Sequence, residues 1–164
     1  MGHDPRQIMQ HNDVLRSVRY ILNVRDAAII DWVHAADPSF EITLDDVVGF
    51  LKKEDEEGFV PCPDAVMARA LDGVVFQLRG RDPKLPQRPF ERIVNNNAIL
   101  KKLRVAFELK EDDLHEILAS VGFPVSKPEL SALFRGPDQK NFRACGDQLL
   151  RNFLKGLALR QRGG

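Results

Sequence analysis

The sequence predicts an all-α protein made of two pseudo-symmetric repeats of about four helices each, packed into one compact body. The chain aligns with itself over most of its length. Apolar residues recur at three- to four-residue spacing, as in helices, and no segment shows the sustained alternation of a strand. The predicted organisation is an N-terminal tail over residues 1–11, repeat 1 over 12–80, a Pro-rich connector over 81–94 and repeat 2 over 95–164.

The self-alignment falls into three blocks. At an offset of 85, the first helix aligns Asn12, Val14, Leu15, Arg16, Val18 and Arg19 with Asn97, Ile99, Leu100, Lys101, Leu103 and Arg104. At an offset of 83, the other blocks align Phe40, Ile42, Thr43, Asp46, Val47, Leu51, Phe59, Cys62, Asp64, Leu71, Gly73, Arg79 and Gly80 with Phe123, Val125, Ser126, Glu129, Leu130, Phe134, Phe142, Cys145, Asp147, Leu154, Gly156, Arg162 and Gly163. Each unit alone is small for burying its apolar faces, so we expect the two to pack about an approximate two-fold axis.

Helix termini are marked in both repeats. The third helix opens with Thr43-x-x-Asp46 in repeat 1 and with Ser126-x-x-Glu129 in repeat 2, which is the pattern of a capping box. The fourth helix is predicted to begin near Asp64 and Asp147 and to end at Arg79-Gly80 and Arg162-Gly163. The recurrence of both signals supports the alignment independently.

Composition bounds the class of protein. Lys plus Arg and Asp plus Glu number 24 each, so no global field draws the chain to nucleic acid or to an anionic membrane. Two cysteines are too few for a secreted disulfide framework, and the amino end lacks the regions of a signal peptide. No apolar run approaches the roughly 20 residues of a membrane span. We therefore expect a cytoplasmic protein that does not enter the membrane.

Four strings carry a family resemblance: 15-LRSVRY-20, 52-KKEDEEGF-59, 95-NNN-97 and Asn141-Phe142-Arg143-x-Cys145-Gly146-Asp147-Gln148. Together they resemble the YehS-like family of bacterial proteins over nearly the whole chain after Asn12. That family is known as a domain of unknown function present twice per chain. The resemblance implies a bacterial cytoplasmic protein and brings no catalytic residues with it.

The strongest repeated string is Phe-x-x-Cys-x-Asp, formed by Phe59, Cys62 and Asp64 in repeat 1 and by Phe142, Cys145 and Asp147 in repeat 2. One hypothesis is a thiol redox or ligand site, because a helix N-terminus lowers the pKa of a nearby thiol. The favoured interpretation is structural: each cysteine is a small buried apolar residue, and each aspartate is the helix cap.

Metal and cofactor sites are not indicated. His3, His11, His34 and His115 are scattered and do not recur between the repeats, whereas zinc sites need closely spaced ligands. The acidic run 54–57 before Gly58 fails as a calcium loop, because Lys53 stands where the first carboxylate is required. We predict no catalytic residue, no cofactor and no metal ion.

A segment over residues 114–135 is similar to a helix-turn-helix. Its candidate nucleic-acid contacts are Lys127, Ser131, Arg135, Lys140 and Arg143. The stretch 135–164 holds seven cations and two acids, whereas 41–64 holds eight acids and two lysines. This asymmetry suits nucleic-acid binding by repeat 2, but equally suits attraction between the repeats or between two chains.

The sequence therefore favours a non-enzymatic interaction or regulatory module, with an unknown protein partner or self-association. The first alternative is a nucleic-acid-binding protein that uses residues 114–135. It requires Lys127, Arg135, Lys140 and Arg143 to form one exposed basic face without acidic partners. The second alternative is the thiol redox or ligand site at the repeated Phe-x-x-Cys-x-Asp string.

Overall fold

The computed structural model describes residues 9–163, and within that range every regular element is an α-helix. The helices are α1 (His11–Leu22), α2 (Ala27–Ala36), α3 (Leu44–Phe50), α4 (Asp64–Arg79), α5 (Asn96–Ala106), α6 (Glu111–Ser120), α7 (Lys127–Leu133) and α8 (Asp147–Arg162). Each repeat thus contributes four helices, in agreement with the predicted fold class. No helix within residues 9–163 is both long and apolar enough to cross a bilayer.

The predicted helix starts and ends are present. The Thr43 hydroxyl accepts from the N–H of Asp46 at 3.1 Å, and the Asp46 carboxylate accepts from the N–H of Thr43, which completes a capping box on α3. Ser126 accepts from the N–H of Glu129 at the start of α7. Helices α4 and α8 end at Arg79 and Arg162, each followed by a glycine with positive φ.

The first and fourth helices of both repeats form a central bundle. Helix α4 of repeat 1 packs on α5 of repeat 2, and α8 of repeat 2 packs on α1 of repeat 1. Contacts of α1 with α4 and of α5 with α8 close the ring. The buried apolar residues form one continuous core that runs through both repeats. The two units therefore share a core, as the burial argument from their small size predicts.

All four bundle helices start at the same end. There the Asp64 carboxylate lies 2.7 Å from His11 Nε2 and accepts from the N–H of Val94 at 3.1 Å, and Asn96 donates to Asp147 at 2.7 Å. At the opposite end, Arg79 pairs with Glu108, and Arg162 donates to the Tyr20 carbonyl and stacks on the Tyr20 ring. The bundle is therefore parallel.

In each repeat the second helix packs on the fourth, and the third helix packs on the second. In repeat 1, α2 packs on α4 so closely that a Cβ on Gly73 would lie 1.7 Å from the Trp32 carbonyl oxygen. The equivalent Gly156 of α8 faces Ile117 of α6, with 2.4 Å between its virtual Cβ and that carbonyl oxygen. Glycine is repeated here because only a residue without a side chain allows the two backbones to approach.

The connector 81–94 contains no helix or strand and runs back along repeat 1. Arg81 donates to the Ala35 carbonyl and Gln87 to the Ala36 carbonyl, both at 3.2 Å, near the end of α2. Further on, Phe90 lies against the Arg69 guanidinium, with 4.3 Å between the Phe90 ring centroid and Arg69 Cζ. The connector therefore returns the chain to the bundle end where α4 began, and this lets α5 start beside it.

Candidate functional site

The repeated cysteine lies in a loop that an asparagine side chain holds in place. In repeat 1, Asn12 Nδ2 donates to the carbonyls of Phe50 at 2.9 Å and Val60 at 2.8 Å, and its Oδ1 accepts from the N–H of Cys62 at 2.9 Å. Asn12 is buried on the core face of α1. One side chain thus joins α1, the end of α3 and the segment that leads into α4.

The same clamp occurs in repeat 2. Asn97 Nδ2 donates to the carbonyls of Leu133 and Arg143, both at 3.0 Å, and its Oδ1 accepts from the N–H of Cys145 at 2.8 Å. All partners are equivalent to those of Asn12 by position. The shared asparagine is visible in the alignment of the repeats, but its role requires the fold, because its partners are distant in sequence. Sequence reasoning therefore missed it as a key residue.

The two aspartates of the motif do not cap their helices, so that interpretation was wrong. The N-cap residues are Pro63 and Gly146, and Asp64 and Asp147 are the first residues of α4 and α8. Their carboxylates face the N-terminus of the neighbouring bundle helix instead. The hydrogen bond with His11 is the main cause that lowers the pKa of Asp64. His11, which sequence reasoning had dismissed, is equivalent to Asn96, the partner of Asp147.

The two cysteines are free and buried, and the phenylalanines of the motif are half-buried. Burial raises the pKa of Cys62 to about 12, and Asp64 adds to the shift. Burial likewise raises the pKa of Cys145 to about 12. Both thiols are therefore protonated near neutral pH and shielded from solvent. Because the thiolate is the reactive form, we expect them to react slowly. These findings favour the structural interpretation of the motif over a redox site.

Among the described residues, no three His, Cys, Asp or Glu side chains are grouped so that they could hold a metal ion. The acidic run 54–57 forms a turn, in which Glu56 accepts from the N–H of Lys53 at 2.8 Å.

The candidate nucleic-acid residues lie on and after α7, and several have acidic or backbone partners. Lys127 pairs with Asp112 at 2.8 Å, and Arg143 pairs with Glu129. Arg135 points to the carbonyls of Lys140 and Asn141 at 3.4 and 3.5 Å. Ser131 and Lys140 are exposed. The requirement for an unpaired basic face is therefore not met at Lys127 and Arg143, which counts against nucleic-acid binding.

Repeat 1 has exposed apolar residues at three of the five equivalent positions, and Lys52 and Glu57 at the other two. Leu44 and Val48, one turn apart on α3, are 49% and 39% exposed, and Val60, which packs on Gly49, is 44% exposed. We call these three residues the α3 face. Their equivalents in repeat 2 are Lys127, Ser131 and Arg143. At these three positions the repeats share a backbone but differ in chemistry, with apolar side chains in repeat 1 and polar ones in repeat 2.

The ion pairs that Lys127 and Arg143 make in repeat 2 also have no counterpart in repeat 1. Ala27 occupies the position of Asp112, so the Lys127–Asp112 pair corresponds to Leu44 and Ala27. Sequence reasoning missed the α3 face because helical periodicity alone did not show which apolar residues of this short helix are buried. The signal that could have found it was the alignment of Leu44 with a lysine.

The fold and the paired clamps define a class: a parallel helical bundle of two repeats, each of which closes its cysteine loop with an asparagine. The chain belongs to the family described as "Protein of unknown function (DUF1456)", whose profile matches residues 11–80 and 96–163. It is 50% identical over 153 residues to "Uncharacterized protein YehS" of Escherichia coli (strain K12), which covers 93% of this chain and 97% of that protein. No solved structure matches the chain.

Proposed function

We propose that this protein is a non-enzymatic interaction module that binds another protein through the α3 face. The observation that carries the proposal is the exposure of Leu44 and Val48 at positions where repeat 2 has a paired lysine and a serine. Single exposed apolar residues are common on protein surfaces and need no explanation. Here the second repeat provides an internal comparison, because it shows that the same backbone site accepts polar residues.

Charge indicates the chemistry of the partner. The α3 face is surrounded in sequence by Asp45, Asp46 and the exposed acidic run 54–57. Apolar residues with more acids than lysines beside them in sequence match a protein surface that presents apolar side chains flanked by lysine or arginine. The partner is therefore a helical or extended segment of that composition on another protein. A second copy of this chain could also dock there through its basic 135–164 stretch. The test must distinguish such self-association from binding of another protein.

Two further parts of the proposal have indirect support. A cytoplasmic location agrees with two free cysteines, since unpaired thiols persist where disulfides are rare. A non-enzymatic role agrees with thiols whose pKa is raised to about 12, because these groups are poor nucleophiles near neutral pH.

The test transfers the surface of repeat 2 to repeat 1 with the double variant Leu44→Lys/Val48→Ser. The matched control is Leu85→Ser, which removes another exposed leucine, in the connector. Proteins captured by the wild type and by the control but not by the double variant are purified and titrated directly. We expect at least tenfold weaker binding for the double variant, as for loss of an interface centre worth about 1.4 kcal/mol.

Equal binding of every directly confirmed partner to the wild type and the double variant would refute the α3 face as the interface. Analytical ultracentrifugation of the wild type without any other protein tests whether the partner is a second copy of this chain. A concentration-dependent dimer that the double variant abolishes would show that the partner is this chain itself, contrary to the proposal.

A further inference from the structure

A cavity of about 300 Å³ lies between α4, α5 and the connector. Its apolar lining includes Leu71 and Val75 from α4, Val94 from the connector and Ala98 from α5. The volume is at the lower end of the range for small-molecule sites. Val105 of α5 also lines it and is 46% exposed, so the apolar wall continues to the surface.

The other interface between the repeats has larger side chains at two positions that line this cavity. The α4–α5 contact has small residues at Ala68 and Ala98. The equivalent α8–α1 contact has Arg151 and Asp13 at those positions. Asp13 pairs there with Arg16, which also donates to the Lys52 carbonyl at 2.9 Å. The two interfaces are related by the pseudo-symmetry, but the α4–α5 interface has shorter side chains at these two positions.

The charged groups at the rim leave a cationic excess. Lys102 is neutralised by Asp72, with 2.6 Å between Nζ and Oδ1. Two further cations, Lys101 and Arg88, and one further acid, Glu91, also line the cavity. None of these three makes an ion pair with any residue in the range 9–163. Two free cations against one free acid favour an anionic group at the mouth of an apolar cavity.

We propose that this cavity binds a small amphipathic anion, namely an unbranched carboxylate with a medium-length hydrocarbon chain. The chain lies against Leu71 and Val75, and the carboxylate faces Lys101 and Arg88. Burying the chain removes apolar surface from water, and the cations select an acid over a neutral molecule of the same length. The site is separate from the α3 face, so its occupancy does not depend on the proposed protein partner.

The test is a calorimetric titration of the full chain with decanoate below its micellar concentration. We expect saturable binding at one site, and clearly weaker binding of decanol, which has the same chain without the charge. Ala98→Phe fills the cavity from a half-buried position and should weaken decanoate binding at least tenfold. Lys101→Glu changes an exposed side chain and should weaken it about fivefold, as for loss of one exposed ion pair.

Lys155→Glu is the matched control, since it reverses an exposed lysine on α8 outside the cavity lining and should leave the affinity unchanged. Thermal unfolding of each variant confirms that it is folded. The proposal is overturned by the absence of saturable decanoate binding. It is also overturned if decanol binds as tightly as decanoate, or if Lys101→Glu and Lys155→Glu weaken binding equally.

Discussion

Asn12 holds the backbone N–H of Cys62 at 2.9 Å from its side-chain oxygen, although the two residues are 50 positions apart. The same bond joins Asn97 to Cys145 at 2.8 Å. In both repeats the amide nitrogen of the same side chain closes two more bonds to loop carbonyls. The repeated asparagine, and not the repeated cysteine, therefore organises the loop in which the strongest sequence motif lies.

Asn12→Ala is expected to destabilise the fold by about 3 kcal/mol, because it leaves one N–H and two carbonyls without partners in a buried site. Asn97→Ala should have an effect of the same sign. Chemical denaturation measures both, and Gln161→Ala on the exposed end of α8 is the control. A change below about 1 kcal/mol for Asn12→Ala would be too small for a buried side chain that makes three hydrogen bonds.

Gly73→Ala should destabilise the protein by about 3 kcal/mol or more, since the new methyl group would collide with the Trp32 backbone at 1.7 Å. In an unconstrained helix the same change stabilises by about 0.5–1 kcal/mol, so the sign itself is diagnostic. Thermal unfolding provides the measurement. Gly146→Ala, where nothing lies within 4 Å of the added Cβ, should change stability by less than about 1 kcal/mol. Equal effects at the two glycines would contradict the close α2–α4 packing.

Both thiols should react with a disulfide reagent far more slowly than a free model thiol near neutral pH. The reason is that burial raises the pKa of Cys62 and of Cys145 to about 12 and also restricts access. The protein unfolded in denaturant is the control, in which both cysteines should react at once. Rapid labelling of either native cysteine would restore the redox hypothesis.

Stability should fall as the pH drops below the ordinary aspartate pKa of 3.8. The hydrogen bond from Arg69 lowers the pKa of Asp37, and the hydrogen bond with His11 lowers that of Asp64. A carboxyl group with a lowered folded-state pKa stabilises the fold fully above its unfolded-state value and loses that effect as the pH falls through the folded value. Urea midpoints at about pH 6 and about pH 3 measure the loss. Asp64→Asn should reduce the difference between the two midpoints, and an unchanged difference would exclude its contribution.

Fluorescence anisotropy with duplex and single-stranded nucleic acid at two salt concentrations should show no strongly salt-dependent binding. The reason is that Lys127 and Arg143 already pair with Asp112 and Glu129. If tight, salt-sensitive binding appears and Arg135→Ala weakens it, the nucleic-acid alternative replaces the proposed protein interaction. Lys53→Ala on the acidic side of repeat 1 is the control.

The helices and the repeat were predictable because their signals are local. Thr43 and Asp46 are three residues apart, and Gly80 directly follows the last helical residue of α4, so sequence spacing alone indicates those termini. The cap of α4 was predicted wrongly because Asp64 has two competing partners, His11 and Val94, on elements that only the fold brings near. Local preference gave way to a tertiary contact there.

By itself, the sequence of this protein determined the helical class, the duplication and the opposite charge of the two halves, all of which depend on residue type and short-range order. Only the tertiary structure decided that Asn12 clamps the cysteine loop, that Leu44 and Val48 stay exposed and that a cavity lies beside α5. Each of these depends on packing between segments distant along the chain. Helical periodicity shows which residues share a face of a helix. Which of those faces is buried depends on where the other helices pack.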